Sequence, residues 1–271
     1  MKKIEINKIL SWYLNNYQIN EIIKKYTGLN NNQLFFCDDL DIEEQKINEI
    51  KELLEKKIPY EYIINKAEFF SLDFYVDSRV LIPRNDTEIM VHETIKEINK
   101  KEKIEYIDIW TWSSCIAISV IKNIDKNKII KSSVVDISKK ALEVSKINIK
   151  KHSIKNITQI ESNLLENYKE SFNYKVITAN LPYIKNNDFD NMSIETINHE
   201  PDLALYWWKE TWFELYEKLI EQCQKIWNIT LFIEIWFDQK EYSKSYLENK
   251  KLKNNYYKDN SWIDRCIKII F

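Results

Sequence analysis

The chain has 271 residues, of which 44% are hydrophobic and 30% are charged, and its formal net charge is −2. This length is enough for an α/β domain and a smaller second domain, and the composition is that of a globular protein. The near-neutral charge excludes a strong basic field for tracking nucleic acid, and the sequence shows no signal-peptide pattern and no apolar run long enough for a membrane helix.

Cysteine and histidine are few and scattered. The four cysteines form no closely spaced pair, and there are only three histidines. This distribution argues against a zinc site and favours reduced thiols in the cytosol. We therefore predict a cytoplasmic protein with no metal ion, no membrane partner and no direct nucleic-acid partner.

The glycine and tryptophan contents are abnormal. The chain contains one glycine, Gly28, and nine tryptophans. Average usage of about 7% would give about nineteen glycines in a chain of this length. An α/β domain needs glycine at tight turns and helix ends, so the deficit requires an explanation.

Residues 1–66 are predicted to form a small helical domain. Hydrophobic residues recur at helical spacing over residues 4–14 and 42–54, and a polar loop signal at residues 26–32 lies between them. The following segment, residues 67–82, changes to a strand pattern. It predicts a linking β-hairpin with strands at 69–76 and 79–82 and a turn at Asp77-Ser78.

Residues 83–271 are predicted to form an α/β domain, introduced by a helix that runs from Asp86 or Thr87 to about Asn99. From there strands and helices alternate along the chain, which indicates a doubly wound, mostly parallel sheet. The predicted strands are 104–109, 129–135, 157–160, 176–179, 230–235 and 263–271, and the predicted helices are 114–123, 138–152 and 212–226.

Two stretches lie where such a sheet binds its ligand, beyond the carboxyl ends of the strands. The first is the loop after the strand at 104–109, which leads into a helix. The second is the end of the next strand, where Asp136 lies about 20 residues after that loop. At this spacing a carboxylate meets ribose hydroxyls in nucleotide-binding α/β folds. The alternative for Asp136 is that it caps the helix at 138–152.

A third stretch, Asn180-Leu181-Pro182-Tyr183, follows the buried strand at 176–179. The proline restricts the backbone on both sides, which makes a stiff, open turn. This turn has an amide side chain, that of Asn180, at its start and an aromatic ring, that of Tyr183, at its end. The alternative is a strand end with Tyr183 packed in the core.

These stretches resemble the release factor glutamine methyltransferase family. Residues 82–88 read Ile-Pro-Arg-Asn-Asp-Thr-Glu and are similar to its Ile-Pro-Arg-Pro-Asp-Thr-Glu signature, with Asn85 in place of the second proline. Residues 180–183 resemble the Asn/Asp-Pro-Pro-Tyr motif of S-adenosyl-L-methionine-dependent enzymes that methylate planar NH2 groups. This resemblance implies that the Asn180 side-chain oxygen and the carbonyl of Leu181 or Pro182 accept both N–H groups of the target amide, with Tyr183 against its flat face. Glu200-Pro201 and Ile263-Asp264-Arg265 also agree, and the resemblance covers residues 56–271.

The resemblance implies a Rossmann-like, seven-stranded sheet that binds S-adenosyl-L-methionine. It also implies a monomer that methylates the side-chain amide nitrogen (N5) of the glutamine in the Gly-Gly-Gln motif of release factors, with the helical domain helping to bind the release factor. The implied catalytic residues are Asn180, Pro182 and Tyr183, and Leu181 joins them in binding the substrate. The implied donor-binding residues are Trp110, Thr111, Trp112, Ser113, Ser114, Asp136, Asn163, Leu164 and Asn180.

Eight of the nine tryptophans fall where the family has glycine, and Trp12 is the exception. We interpret the eight as glycines in the native protein, encoded by in-frame UGA codons that the host reads as glycine. The abundance of Lys, Ile and Asn fits an AT-rich genome. The eight positions are Trp110, Trp112, Trp207, Trp208, Trp212, Trp227, Trp236 and Trp262.

Three other functions remain open from the sequence. Asn-Leu-Pro-Tyr also suits a nucleic-acid adenine-N6 methyltransferase, although the acidic balance and residues 82–88 argue against it. A ribosomal-protein glutamine methyltransferase is closer, and Glu234-Ile235 followed by Gln239 favours the release-factor enzymes over it. If Trp110 and Trp112 are genuine, the chain could be a binding module without catalytic activity.

Overall fold

A computed structural model of the chain describes residues 1–169, 173–182, 199–201 and 213–271. Among these residues, Met1–Lys66 and His199 form one compact unit, and the remaining described residues form a second. Each unit has its own hydrophobic core. No helix in the described part of the chain is both long enough and apolar enough to cross a membrane.

The first unit consists of short helices, as the hydrophobic spacing predicts. Asn15 and Asn30 accept hydrogen bonds from the amides of Gln18 and Gln33, which begins two of the helices with capping boxes. Gly28 ends one of them at φ +72°, a conformation that glycine adopts without strain. The helices are α1 (Lys3–Leu10), α2 (Asn16–Thr27), α3 (Asn31–Phe36), α4 (Glu44–Glu55) and α5 (Tyr60–Ile64).

The second unit begins with a hairpin that is shorter than the sequence predicts. Strands β1 (Ala67–Phe69) and β2 (Leu72–Phe74) pair around Phe70 and Ser71, whose φ angles are +51° and +58°. The predicted strand at 79–82 is wrong. The chain does turn after Asp77, where the amide of Val80 donates to the Asp77 carbonyl at 3.1 Å, but this turn joins no strands. The Asp77 carboxylate accepts hydrogen bonds from the Arg79 amide and side chain at 3.0 and 2.9 Å, and these local bonds replace strand pairing.

Seven strands form the sheet of the second unit, in the order β5-β4-β3-β6-β7-β9-β8. Neighbours from β5 to β7 are parallel, and β9 is antiparallel to both of its neighbours. The strands are β3 (Ile104–Ile109), β4 (Ile129–Asp136), β5 (Ile157–Glu161), β6 (Lys175–Ala179), β7 (Ile229–Glu234), β8 (Lys253–Lys258) and β9 (Asp264–Ile270). This topology confirms the predicted doubly wound, mostly parallel sheet.

Helices connect the strands of the sheet. A 3-10 turn at Asn85–Thr87 precedes α6, and the side chain of Thr87 makes no capping bond to that helix. The predicted helix at 212–226 begins outside the described residues and is observed as α9. The helices are α6 (Glu88–Asn99), α7 (Cys115–Lys122), α8 (Lys139–Lys151), α9 (Glu214–Cys223) and α10 (Lys240–Asn249).

The position of β3 determines where a ligand can bind. The chain runs from β3 through β4 to β5 on one side and returns to β6 on the other side of β3. The loops that follow β3 and β6 therefore leave the same sheet edge in different directions, and the crevice between them is the usual ligand site of such sheets. Every residue of β3 and β6 is buried, so both strands are firmly held.

Candidate functional site

The loop between β3 and α7 has the backbone of a glycine-rich loop. Trp110, Trp112 and Ser114 have φ angles of +60°, +49° and +64°, all in the left-handed region. Non-glycine residues pay roughly 1–2 kcal/mol each in this conformation. The fold therefore imposes at these three positions a backbone that glycine adopts without cost.

The two indoles of this loop are buried, and that of Trp112 lines the crevice. Trp110 and Trp112 are 1% and 5% exposed, and their rings meet edge to face with centroids 6.2 Å apart. The cavity that remains between Trp112, Thr111 and Asn180 is about 20 Å³, whereas ligand pockets measure about 300–1,000 Å³. Among the described residues, the cavity beside Asn180 is therefore far too small for a nucleotide-sized ligand while Trp112 stands in the loop.

Asp136 lies at the end of β4, beside this loop. Its carboxylate accepts hydrogen bonds from the amide of Trp112 at 3.0 Å and the amide of Ser138 at 2.8 Å. Burial raises the pKa of Asp136 to about 7. The capping alternative for Asp136 is wrong, because Ser138 occupies the N-cap of α8 and its hydroxyl accepts the amide of Ala141. Asp136 is thus a buried acid bound to the loop.

Asn163 and Leu164 follow β5, the strand next to β4. The amide of Ser162 donates to the carbonyl of Asp136 at 2.9 Å, which holds this segment beside Asp136. The side-chain nitrogen of Asn163 donates to Glu166, while its oxygen is buried and has no hydrogen-bond partner among the described residues. That oxygen is an available acceptor for an N–H group such as the exocyclic amine of adenine.

The turn after β6 brings Asn180 to the same crevice. Asn180 is 7% exposed and lines the small cavity together with Thr111 and Trp112. The hydroxyl of Tyr216, on α9, lies 3.3 Å from both the amide and the carbonyl oxygen of Leu181. The Leu181 carbonyl therefore accepts one hydrogen bond from Tyr216 and keeps a second lone pair, so both carbonyls of the predicted pair remain candidates to accept an N–H group. Tyr183 lies outside the described residues.

The structure thus gathers most of the predicted site residues at one sheet edge. The loop at 110–114, Asp136, Asn163 and the turn at 180–182 end four adjacent parallel strands. The contribution of Tyr216 was missed, because a tyrosine on the apolar face of a helix gives no signal that distinguishes it from a core residue.

Comparison with curated proteins assigns the family. The chain is 31% identical over 226 residues to the release factor glutamine methyltransferase of Flavobacterium psychrophilum, covering 80% of this chain and 77% of that protein. It is 32% identical over 213 residues to the protein of the same name from Mycoplasma mycoides, covering 77% and 74%. The chain belongs to the release factor glutamine methyltransferase family. A third relative of that name, from Fusobacterium nucleatum, is 32% identical over 193 residues, covering 70% of this chain and 52% of that protein.

Solved structures show the same fold at low sequence identity. The ribosomal protein L11 methylase of Lactobacillus delbrueckii has a TM-score of 0.51 at 15% identity, over 72% of this chain and 83% of that one. The catalytic domain of hMettl16, in complex with an RNA hairpin, has a TM-score of 0.58 at 11% identity, over 98% and 90%. No protein-family model matches the chain. The predicted Rossmann-like methyltransferase fold and the family resemblance are confirmed.

In this member of the family, two ion pairs join the signature segments to distant residues. Arg84 contacts Glu200 at 2.5 Å, and Asp86 contacts Arg265 at 3.2 Å. Arg265 also contacts Asp259 at 3.2 Å. Residues 82–88 are thereby fixed to residues more than 100 positions away, and Arg84 forms one wall of the cavity beside Asn180.

The Arg84–Glu200 pair predicts a measurable stability effect. The Glu200 side chain is 1% exposed and that of Arg84 is 40% exposed, so Arg84→Met removes the guanidinium that faces a buried carboxylate. We expect the free energy of unfolding in urea to fall by about 1–3 kcal/mol. Lys218→Met is the control, because both side chains of the Lys218–Glu166 pair are more than 40% exposed and such pairs contribute about 0–1 kcal/mol. Equal losses in the two variants would contradict the prediction.

Proposed function

We propose that this chain transfers a methyl group from S-adenosyl-L-methionine to the N5 nitrogen of the glutamine in the Gly-Gly-Gln motif of release factors. Family membership supports the reaction and the methyl donor. The observation that supports the site most strongly is the meeting of the left-handed loop after β3 and the turn at Asn180 at one sheet edge. Donor and target must approach each other in that place for transfer to occur.

The turn at 180–182 would hold the target amide. An amide nitrogen is a weak nucleophile because its lone pair is delocalised, so its orientation controls its reactivity. The Asn180 side-chain oxygen would accept one N–H of the glutamine, and the carbonyl of Leu181 or Pro182 would accept the other. Tyr216 would keep the turn in place through its contacts with Leu181. Tyr183, outside the described residues, is proposed to pack on the flat amide.

The loop with both tryptophans does not fit the methyl donor, because both indoles are buried and Trp112 lines a cavity of only about 20 Å³ beside Asn180. We propose that both positions are glycine in the native protein, as the interpretation of UGA codons requires. The left-handed backbone at both positions supports this, as does the same backbone at Trp262, φ +64°, in a turn outside the loop. With glycine there, Thr111, Ser113, Ser114, Asp136, Asn163 and Leu164 would be available to the donor.

Mass spectrometry of the protein from its native host tests the glycine proposal without an activity measurement. Peptides covering residues 101–122 and 259–265 report positions 110, 112 and 262 separately. We expect the mass of glycine at all three. Tryptophan masses there would overturn the proposal and would favour a binding module without catalytic activity.

Donor affinity should depend on pH through Asp136. Burial raises the pKa of its carboxyl to about 7, and ribose hydroxyls donate best to the ionised form. A ligand that prefers the charged form binds less tightly as the pH falls through that pKa, by up to about tenfold per pH unit. We expect the dissociation constant, measured by calorimetry between pH 8.5 and 6, to rise toward acid pH. Asp136→Asn should flatten this profile, whereas Asp125→Asn, at an exposed position, should leave it unchanged.

The helical unit is proposed to contribute to release-factor binding. It exposes large apolar side chains: Ile4, Trp12, Tyr17, Phe35 and Phe36 are each more than 60% exposed. Exposed apolar residues in this number are typical of interaction surfaces. We propose that residues 1–66 act as the substrate-binding domain, residues 67–82 as the linker and residues 83–271 as the catalytic domain of a cytoplasmic monomer.

A methylation assay with labelled donor tests the substrate. We expect methylation of a release factor at the glutamine of Gly-Gly-Gln and none after that glutamine is replaced by alanine. Duplex DNA, ribosomal RNA and ribosomal proteins are the competing substrates. Methylation of any of these in place of the release factor would overturn the proposed substrate and identify which alternative holds.

A further inference from the structure

A buried carboxylate connects the elements on both sides of the crevice. Asp108, near the end of β3, is completely buried. It accepts hydrogen bonds from the hydroxyl of Thr111 at 2.5 Å and the hydroxyl of Thr178 at 2.6 Å, and from the backbone of Ala117 in α7. Thr111 belongs to the loop after β3, and Thr178 belongs to β6. One side chain therefore joins the loop, the helix that follows it and the neighbouring strand.

A tyrosine extends this connection. The hydroxyl of Tyr106 lies 2.8 Å from that of Thr178, and both residues are fully buried. An ionised carboxylate can only accept, so the single hydrogen of the Thr178 hydroxyl points to Asp108. Tyr106 must then donate to Thr178. The hydrogen bonds therefore run in one direction, from Tyr106 through Thr178 to Asp108. If the Thr178 hydroxyl turned toward Tyr106, the carboxylate of Asp108 would lose its hydrogen bond from Thr178.

Thr178 stands two residues before Asn180, and β3 and β6 pair with Asp108 opposite Thr178. A shift of Thr178 relative to Asp108 would therefore move the turn at 180–182 relative to the loop at 110–114. Reactions between two bound groups are sensitive to such shifts, because reacting atoms must come within about 3–3.5 Å and an error of 1 Å can cost about 100-fold in rate.

We propose that Thr178, oriented by Tyr106, is a positioning residue that fixes the separation between the donor loop and the Asn180 turn through Asp108. The proposal rests on the proposed methyl transfer between these two segments. It assigns no contact with donor or target to Thr178 itself. If Thr178 only stabilised the fold, its replacement would lower stability but would not shift the pH dependence of kcat.

The ionisation of Asp108 provides a readout. Burial raises the pKa of Asp108 to about 6, and the hydrogen bonds from Thr111 and Thr178 hold it below the value that burial alone would give. Asp136 and the Cys115 thiol interact with Asp108 and remain in place in all the variants below. Loss of the Thr178 hydroxyl should therefore move the pKa of Asp108 upward.

The test compares Thr178→Val with Thr94→Val, in protein that carries the native residues at 110 and 112. Thr94 is a matched control, because it is buried on α6 and its hydroxyl has no partner among the described residues. We expect Thr178→Val to lower kcat by about 10- to 100-fold, with little change in donor affinity, and to move the acid limb of the kcat–pH profile to higher pH. Thr94→Val should change neither.

Tyr106→Phe provides a second variant if Thr178→Val does not fold. It should change kcat and the acid limb in the same direction by a smaller factor, and the double variant should be no slower than Thr178→Val alone, because both act through one hydroxyl. Folded variants with unchanged kcat and an unchanged acid limb would overturn the proposal while the proposed function stands. Absence of turnover in the unsubstituted native protein would overturn both.

Discussion

The chain with Trp110→Gly and Trp112→Gly is expected to bind S-adenosyl-L-methionine at least about 100-fold more tightly than the chain with both tryptophans. The reason is the volume available to the ligand. With both tryptophans present, the cavity beside Asn180 is about 20 Å³, whereas a drug-sized ligand requires about 300 Å³ or more. Isothermal titration calorimetry of the two proteins, made side by side, measures the difference.

Two single substitutions serve as controls for that experiment. Trp12→Gly removes an indole that is 87% exposed and has no left-handed backbone. Trp262→Gly removes an indole that is 79% exposed. The backbone of Trp262 is left-handed, at φ +64°, but it belongs to a turn outside the loop. Neither should change donor affinity. If the chain with both loop tryptophans binds the donor as tightly as the double variant, the indoles are compatible with the site and the glycine proposal fails.

Asn180→Ala is expected to lower the rate of release-factor methylation by about 100- to 1,000-fold. The side-chain oxygen of Asn180 is the only one proposed to accept an N–H of the target glutamine, and removal of one such preorganised partner has effects of this size in other enzymes. Single-turnover kinetics with saturating donor measures the chemical step directly. The loss should appear in the rate constant, with a smaller change in the affinity for the donor.

Asn180→Asp separates the hydrogen bond from the shape of the side chain. It keeps an acceptor in nearly the same place, so we expect a smaller loss than for alanine at a pH where the carboxylate is ionised. Asn127→Ala, at an exposed position, controls for the loss of an asparagine elsewhere in the second unit. A single-turnover rate for Asn180→Ala close to that of Asn127→Ala would show that the turn does not hold the amide in this way.

The central strands could be predicted from the sequence because they are buried on both faces. β3, Ile-Glu-Tyr-Ile-Asp-Ile, and β7, Ile-Thr-Leu-Phe-Ile-Glu, are rich in β-branched and aromatic residues, and their observed limits agree with the predicted ones to within one residue. β8 was missed because it is an edge strand with the sequence Lys-Asn-Asn-Tyr-Tyr-Lys, whose polar residues give no such pattern. α10, which begins at Lys240, was missed for a related reason, since only Ser243 and Leu247 of that helix are buried.

Local turn chemistry was harder to predict than strands. The β1–β2 hairpin turns at Phe70 and Ser71, both with positive φ, and an aromatic residue at such a place gives no turn signal. Asp77-Ser78 gives a strong signal and does begin a turn, but that turn joins no strands, and the Asp77 carboxylate binds the Arg79 amide. Turn propensity alone therefore placed the turn of the hairpin seven residues too late in the sequence.

The residues of the candidate site also fall into those that the sequence could predict and those that it could not. Motif resemblance identified Asp136, Asn163 and Asn180, because these lie at strand ends where topology brings them together. The partners that hold the site in place are distant in sequence, such as Glu200 for Arg84 and Tyr216 for Leu181. Contacts of this range depend on the complete fold, so no local pattern could predict them.

The left-handed residues at 110, 112 and 262 have a consequence that extends to the genome of the host. Backbone dihedral angles are set by the path of the whole chain, so the frequency with which tryptophan falls at positive φ tests what its codon means independently of any translation table. If tryptophans in other proteins from the same genome also fall on such positions, far above the few per cent expected for non-glycine residues, then protein folds alone establish how that organism reads UGA.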